Sequence, residues 1–130
     1  MILFDTDICV ELLRGNKNII HKKERAGFGV GISCITVAEL FYGAEKSAMT
    51  EANYSLVEEF LLTVKIINLD LSISKKFAQL KNNLEKEGML LPDADILIAA
   101  TALEKCKKII TGNIKHFIRF KELDLENWIR

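Results

Sequence analysis

The segment "DADILIAATALEK", residues 93–105, constrains the fold more than any other stretch of the chain. Between Asp95 and Glu104 it carries no charge, and its apolar residues fall on nearly every side of a helix. A surface helix buries one stripe, whereas a helix apolar all round has to be covered all round. In a chain of 130 residues this calls for a sheet beneath that helix and other helices beside it. The length suits one domain, 1–130, with a sizeable core. At 49% hydrophobic and 28% charged residues the composition is that of a soluble globular protein. No apolar run approaches the ~18 residues of a membrane span. "MILFDTD" lacks the basic flank of a signal peptide and reads as a strand start.

Strand and helix patterns alternate along the rest of the chain. "MILF" is a short strand ending at Asp5; residues 7–14 form a helix with Gly15 as its stop; residues 17–26 form a polar helix. "FGVGIS" reads as a strand ending near Ser33, followed by a helix that starts at Thr36 and by another over 51–62. "VKIINL" is a strand, "SISKKFAQLKNNLEKEG" a long amphipathic helix stopped by Gly88, and "KKIIT" a strand after the apolar helix. "IKHFIRF" is a short helix or loop and "LDLENW" a last strand or tail. Such alternation predicts an α/β fold with a mostly parallel sheet covered by helices on both faces.

In such a fold the carboxyl ends of strands and the amino ends of helices share one edge, where ligands bind. Asp5 ends the first strand, and Asp7 sits in the first helical turn. Glu39 lies in the first turn of the helix after "FGVGIS", Asp93 and Asp95 open the apolar helix, and Thr111 and Asn113 follow "KKIIT". Each also has a structural explanation. "TVAE" matches a capping box from Thr36 to Glu39, Asp93 behind Pro92 suits an N-cap, Asp95 favours the helix dipole, and Asn113 suits a turn. Asp93 and Asp95 point about 200° apart on a helix, so both serving one ion is not expected. Asp5 is harder to explain structurally, because it ends an apolar strand with no cation near it in sequence.

Several carboxylates on one edge repel one another unless a cation is present. Oxygen ligands without Cys or His partners suit a hard ion such as Mg²⁺ or Mn²⁺. His21 and His116 are isolated, and Cys9, Cys34 and Cys106 lack metal-ligand spacing, so zinc is not expected and the thiols read as free cysteines of a reducing cytoplasm. The sequence has no glycine-rich phosphate loop and no serine elbow. Formal net charge is zero, which gives no global attraction to nucleic acid. Its basic residues cluster in "HKKER" at 21–25, "KCKK" at 105–108 and "KHFIRFK" at 115–121.

"LFDTDICVELLRG", "ISCITVAELFYGAEKS", "DADILIAATAL" and "KIITGNIKHFIRFKELDLENW" together resemble the PIN-domain ribonucleases, and more narrowly the VapC toxins of bacterial and archaeal toxin–antitoxin pairs. The resemblance runs over nearly the whole chain in matching order. It implies a three-layer α/β/α sandwich with a central, mostly parallel sheet of four or five strands. It also implies cleavage of RNA phosphodiesters that depends on Mg²⁺ or Mn²⁺. Family positions match Asp5, Glu39 in "ELFYG", Asp95 in "DILIAA" and Asn113 in "TGN", with Asp7 and Thr111 in support; Asp93 has no fixed role. Asn113, where many members carry Asp, lowers the charge of the site and argues against a tightly held second metal. A metal held by Asp5 and Asp95, with Glu39 direct or through water, is the implied centre. The family further implies a cognate antitoxin, a homodimer, and single-stranded or looped RNA as substrate. Phe41 and Tyr42 are candidates for a partner surface, and Lys108, Lys115 and Arg119 for a basic rim that meets RNA.

Three rivals are weighed against this. "FDTDIC" is similar to the start of haloacid-dehalogenase-type phosphatases, but Cys9 stands where those carry Thr or Val. A receiver-type signalling domain would use Asp70 as phospho-acceptor and needs a Lys-Pro near its end, whereas the only proline is Pro92. A catalytically silent PIN module that binds RNA or protein would not need all three acids.

Overall fold

The strand that carries Asp5 is short. Ile2–Phe4 form β1, and their side chains alternate between two cores, Leu3 facing one and Phe4 the other. The computed structural model describes residues 1–27 and 29–130. The element order is β1, α1 (Thr6–Leu13), α2 (Lys17–Ala26), β2 (Val30–Ser33), α3 (Cys34–Glu45), α4 (Thr50–Leu61), β3 (Lys65–Ile67), α5 (Leu71–Lys86), α6 (Asp93–Lys105), β4 (Lys108–Ile110), α7 (Ile114–Phe117) and β5 (Asp124–Glu126). Phe28, the first residue of the expected strand "FGVGIS", lies outside the described residues.

Five strands pair in parallel in the order β3-β2-β1-β4-β5. The chain moves outward from β1 to β2 and β3, then crosses to β4 and β5 on the other side. Right-handed crossovers running in opposite directions deliver helices to opposite faces. α1 to α4 accordingly pack with Phe4, Ile8, Ile19, Ile32, Leu40, Val57 and Ile110. α5, α6 and α7 pack with Leu3, Ile73, Leu84, Ile109 and Phe117. The result is the expected three-layer sandwich. α6 lies inside it as its composition requires, with Ile96, Ile98, Ala99, Ala100, Thr101 and Ala102 all buried. Each buried isoleucine contributes roughly 1.5–3 kcal/mol, so α6 holds the start of its own first turn, including Asp95, firmly on the sheet. Among the described residues no helix is long and apolar enough to cross a membrane.

Gly15 and Gly88 end α1 and α5 as expected, with φ of +81° and +71°, a region costly for residues with a Cβ. Two expected boundaries move, each because a cap sits elsewhere. α3 begins at Cys34, since Ser33 Oγ accepts the Ile35 N–H at 3.0 Å. β3 is shorter than "VKIINL", because Asp70 Oδ1 accepts the Ile73 N–H at 2.9 Å and starts α5. Asp70 is thus a cap, paired also with Lys105 at 2.6 Å, and it follows β3, two strands from β1 in the sheet, which does not suit the phospho-acceptor of a receiver-type domain.

Candidate active site

Asp5 follows β1 and Thr111 follows β4, and the register pairs Phe4 with Ile110 just before them. β1 and β4 are the neighbours whose onward connections leave in opposite directions, which is the place in an open α/β sheet where a crevice forms. Asp5 is the N-cap of α1, and its Oδ1 accepts the Thr6 N–H at 2.8 Å. Its Oδ2 accepts the Thr111 hydroxyl at 2.7 Å, joining residues 106 positions apart. Thr111 Oγ1 in turn accepts the Asn113 N–H at 2.9 Å. Asp5 is only 5% exposed. Burial, and then the charge of Asp7, pushes its pKa from 3.8 up to about 7, against the opposing bonds from Thr111 and Thr6; Asp95 adds to the rise.

Asp7 stands beside it. Its Oδ2 accepts the Gly112 N–H at 2.9 Å, and its Oδ1 is buried without a hydrogen-bond partner. Burial raises the pKa of this carboxyl too. Gly112 is required by space. A Cβ there would meet Ile129 Cδ1 at 2.6 Å and Asp7 Oδ2 at 2.9 Å, so only a bare backbone brings the N–H onto Asp7.

Glu39 is not part of a capping box. The helix starts earlier, Thr36 is buried within it, and the Thr6 hydroxyl donates to Glu39 Oε1 at 2.7 Å. Thr6 Oγ1 also lies 3.0 Å from Thr36 Oγ1. With the Thr6 proton committed to Glu39, Thr36 is the donor in that pair. Glu39 itself is exposed on the rim of the edge.

Asp93 and Asp95 part company as their spacing requires, but Asp93 is not the cap. Pro92 occupies the N-cap position and no side chain caps α6. Asp93 is the first helical residue, and it accepts from Lys81 Nζ on α5 at 2.9 Å. Asp95 points the other way, with Oδ2 2.5 Å from His116 Nδ1 on α7. Asn113 Nδ2 stands 2.9 Å from the same ring nitrogen. His116, set aside in the sequence as isolated, is therefore a member of the site. Its spacing from Asn113 was the available signal, since three residues bring side chains together on one helical turn.

The basic candidates are sorted differently. Lys115 is exposed on α7 beside this cluster. Lys108 opens β4, at the end of the strand opposite Thr111, and its ammonium is 2.6 Å from Glu126. Arg119 Nη1 contacts Met89 Sδ at 2.8 Å on the connection before α6 and is paired with no acid among the described residues. Phe41 packs on Tyr54 with ring centroids 5.1 Å apart, so it belongs to the packing of α3 on α4, whereas Tyr42 is exposed.

One edge of the sheet thus carries a buried carboxylate, raised in pKa first by burial and then by the charge of Asp7, with two hydrogen bonds holding it in place. The PIN domain family profile matches residues 2–123. The chain belongs to the PIN domain family. This PIN domain is 33% identical to Ribonuclease VapC2 of Rickettsia felis, over 97% of the chain and 96% of that relative. It is 29% identical to the tRNA(fMet)-specific endonuclease VapC of Shigella flexneri, over 97% and 96%. Among solved structures it is similar to VapBC2 from Rickettsia felis bound to a DNA fragment from its promoter, at 33% identity and a TM-score of 0.92, covering 98% of the chain and 99% of that one. A DNA-bound VapBC from Salmonella typhimurium matches at 27% identity and a TM-score of 0.92, covering 98% and 97%.

The donor chemistry of this PIN domain suits a hard divalent cation. Asp5 is buried and Asp7 half-buried, both with raised pKa, and the buried Asp7 Oδ1 lacks any hydrogen-bond partner. A positive ion removes both penalties. Among the described residues, however, no three of the His, Cys, Asp and Glu side chains stand as a ready coordination group. Two of the three expected ligands are engaged elsewhere, Asp95 with His116 and Glu39 with Thr6.

Proposed function

We propose that this chain is an Mg²⁺- or Mn²⁺-dependent endoribonuclease acting in the cytoplasm as the toxin of a toxin–antitoxin pair. The observation that carries the reading is the Thr111–Asp5 hydrogen bond at the β1/β4 crevice, with burial first and then Asp7 and Asp95 raising the pKa of the same carboxyl. Similarity to Ribonuclease VapC2 over nearly the full length supports the reaction class, and likeness to VapBC complexes supports a cognate antitoxin. A homodimer is part of the same reading, with exposed Tyr42 as one candidate contact.

Asp5 and Asp95 would hold the ion, with Glu39 direct or through water. When bound, the ion supplies positive charge that acidifies a water and offsets charge developing on the phosphate oxygens. Thr111 keeps Asp5 pointed into the crevice by donating to Oδ2. Gly112 holds Asp7 close behind it. His116 Nδ1 lies 2.5 Å from Asp95 Oδ2 and would have to give it up for Asp95 to serve as a ligand, with Asn113 beside the same ring nitrogen. The Asn113 amide would help hold the phosphate, and Lys115 would meet the strand at the rim. Splayed, single-stranded RNA fits such an open edge.

Incubating total RNA with the purified protein and Mg²⁺ or Mn²⁺ tests this. Fragments should appear on a denaturing gel, and both a chelator and Asp95→Asn should abolish them. Undiminished cutting by Asp95→Asn would remove the site assignment.

A further inference from the structure

The "HKKER" cluster is not used by the site described so far, and the rim cations expected to meet RNA are largely committed elsewhere. Lys108 is bound to Glu126 and Arg119 lies against Met89, which leaves Lys115 to face a polyanion beside an acidic crevice. On α2, residues 18, 21, 22 and 25 fall on one outward stripe, turned away from buried Ile19. An exposed stripe of this kind is usually only solvated. Here, however, it forms one wall of a groove of about 460 Å³ whose other wall and floor are Trp128, Ile129 and Arg130.

Two features tie that groove to the site and leave its charge available. Ile129 lies against Gly112, with its Cδ1 2.6 Å and Asp7 Oδ2 2.9 Å from the position a Gly112 Cβ would take. The residue lining the groove is therefore in contact with the backbone that binds Asp7. The acid beside the groove is already neutralised: Glu126 is held by Lys108 at 2.6 Å and by the Trp128 indole N–H. Glu24 does not line the groove. Among the described residues, Lys22 and Arg25 have no carboxylate within salt-bridge distance.

We propose that the groove between α2 and the Trp128–Arg130 segment is the track along which single-stranded RNA leaves the active edge, with Lys22 and Arg25 binding its phosphates and Asn18 and His21 adding hydrogen bonds. A protein partner would have to be strongly acidic to fit the same charge. The contact of Ile129 with Gly112, beside the crevice that takes a phosphodiester, favours the nucleic acid. This inference rests on the ribonuclease reading.

The test uses the full chain in EDTA with a fluorescein-labelled 20-nucleotide single-stranded RNA, read by fluorescence anisotropy over a salt series. The double variant K22A/R25A should bind about tenfold more weakly. Two lost phosphate contacts should flatten the log–log salt slope by about 1.4, at roughly 0.7 per contact for single strands. In cleavage assays with Mg²⁺ its KM should rise by a similar factor. The charge-conserving K22R/R25K should restore both. Arg25 is exposed and Lys22 half-buried, and circular dichroism melts check that the variants are folded. If wild type cuts total RNA and K22A/R25A binds it with unchanged affinity and slope, the groove proposal is overturned while the ribonuclease stands. A variant that loses binding to poly-glutamate but keeps RNA affinity also overturns it, in favour of an acidic protein. Wild type that neither binds nor cuts RNA brings down both.

Discussion

Replacing Asp5 by Asn should destroy cleavage and yet stabilise the metal-free protein at alkaline pH. In the folded state the Asp5 carboxyl titrates at about 7, against 3.8 when free. Between those values the folded state holds a proton that the unfolded chain has released. Stability therefore falls as pH rises from about 4 to about 7, and the full penalty stands above pH 7. At 1.36 kcal/mol per tenfold change, that climb is worth about 4 kcal/mol as a ceiling. Asp7, whose pKa is raised by the same cause, adds in the same direction. Asn removes the charge but keeps one acceptor for the Thr6 N–H. Its amide replaces the oxygen that accepts from Thr111, an exchange costing about 1 kcal/mol. The net gain at pH 8 is then about 2–3 kcal/mol, or roughly 6–12 °C in Tm for a chain of this size. Urea melts in EDTA at pH 5 and pH 8 should show a wild type that loses stability with pH and an Asp5→Asn variant that loses distinctly less. Adding Mg²⁺ at pH 8 should raise the wild type and leave the variant where it was, because only a ligand that binds the native state stabilises it. An Asp5→Asn protein less stable than wild type at pH 8, with the same pH slope, would refute the idea that Asp5 is held against its charge.

Other expectations follow from neighbouring contacts. Asp93→Asn breaks only the exposed pair with Lys81, so RNA cleavage should stay within about twofold and Tm within about 2 °C; loss of activity equal to that of Asp95→Asn would contradict the separation of the two acids. Gly112→Ala should cost about 1–3 kcal/mol in urea melts, since its Cβ meets Ile129 and Asp7, and adding Ile129→Ala should recover part of that loss, whereas purely additive losses would place the clash elsewhere. His116→Ala frees Asp95. By calorimetry it should bind Mn²⁺ more tightly by about tenfold or more, the value of one charge-assisted hydrogen bond; loss of Mn²⁺ binding would instead make His116 a ligand.

Much of this protein is present in local sequence. The short apolar runs in "MILF" and "KKII", glycine stops at 15 and 88, and the unbroken apolar character of α6 are one-dimensional signals. They determine where strands and helices form and which helix is interior. Because parallel α/β units put strand ends and helix starts on one edge, they also place Asp5, Asp7, Glu39, Asp95, Thr111 and Asn113 on that edge before any contact is known. What the tertiary structure decided is which groups hold which. Thr111 donates to Asp5 only because β4 sits beside β1, a neighbour choice made by two cores across 106 residues. His116 reaches Asp95 because α7 packs near α6, and Thr6 rather than a helix cap engages Glu39 because Ser33 starts α3 first. Lys108 lies at the far end of its strand because a strand three residues long still has two ends. Patterns of period two and 3.6 are short-range properties of the chain. Hydrogen-bond partners and ion pairs are settled by competition among groups that meet only after folding.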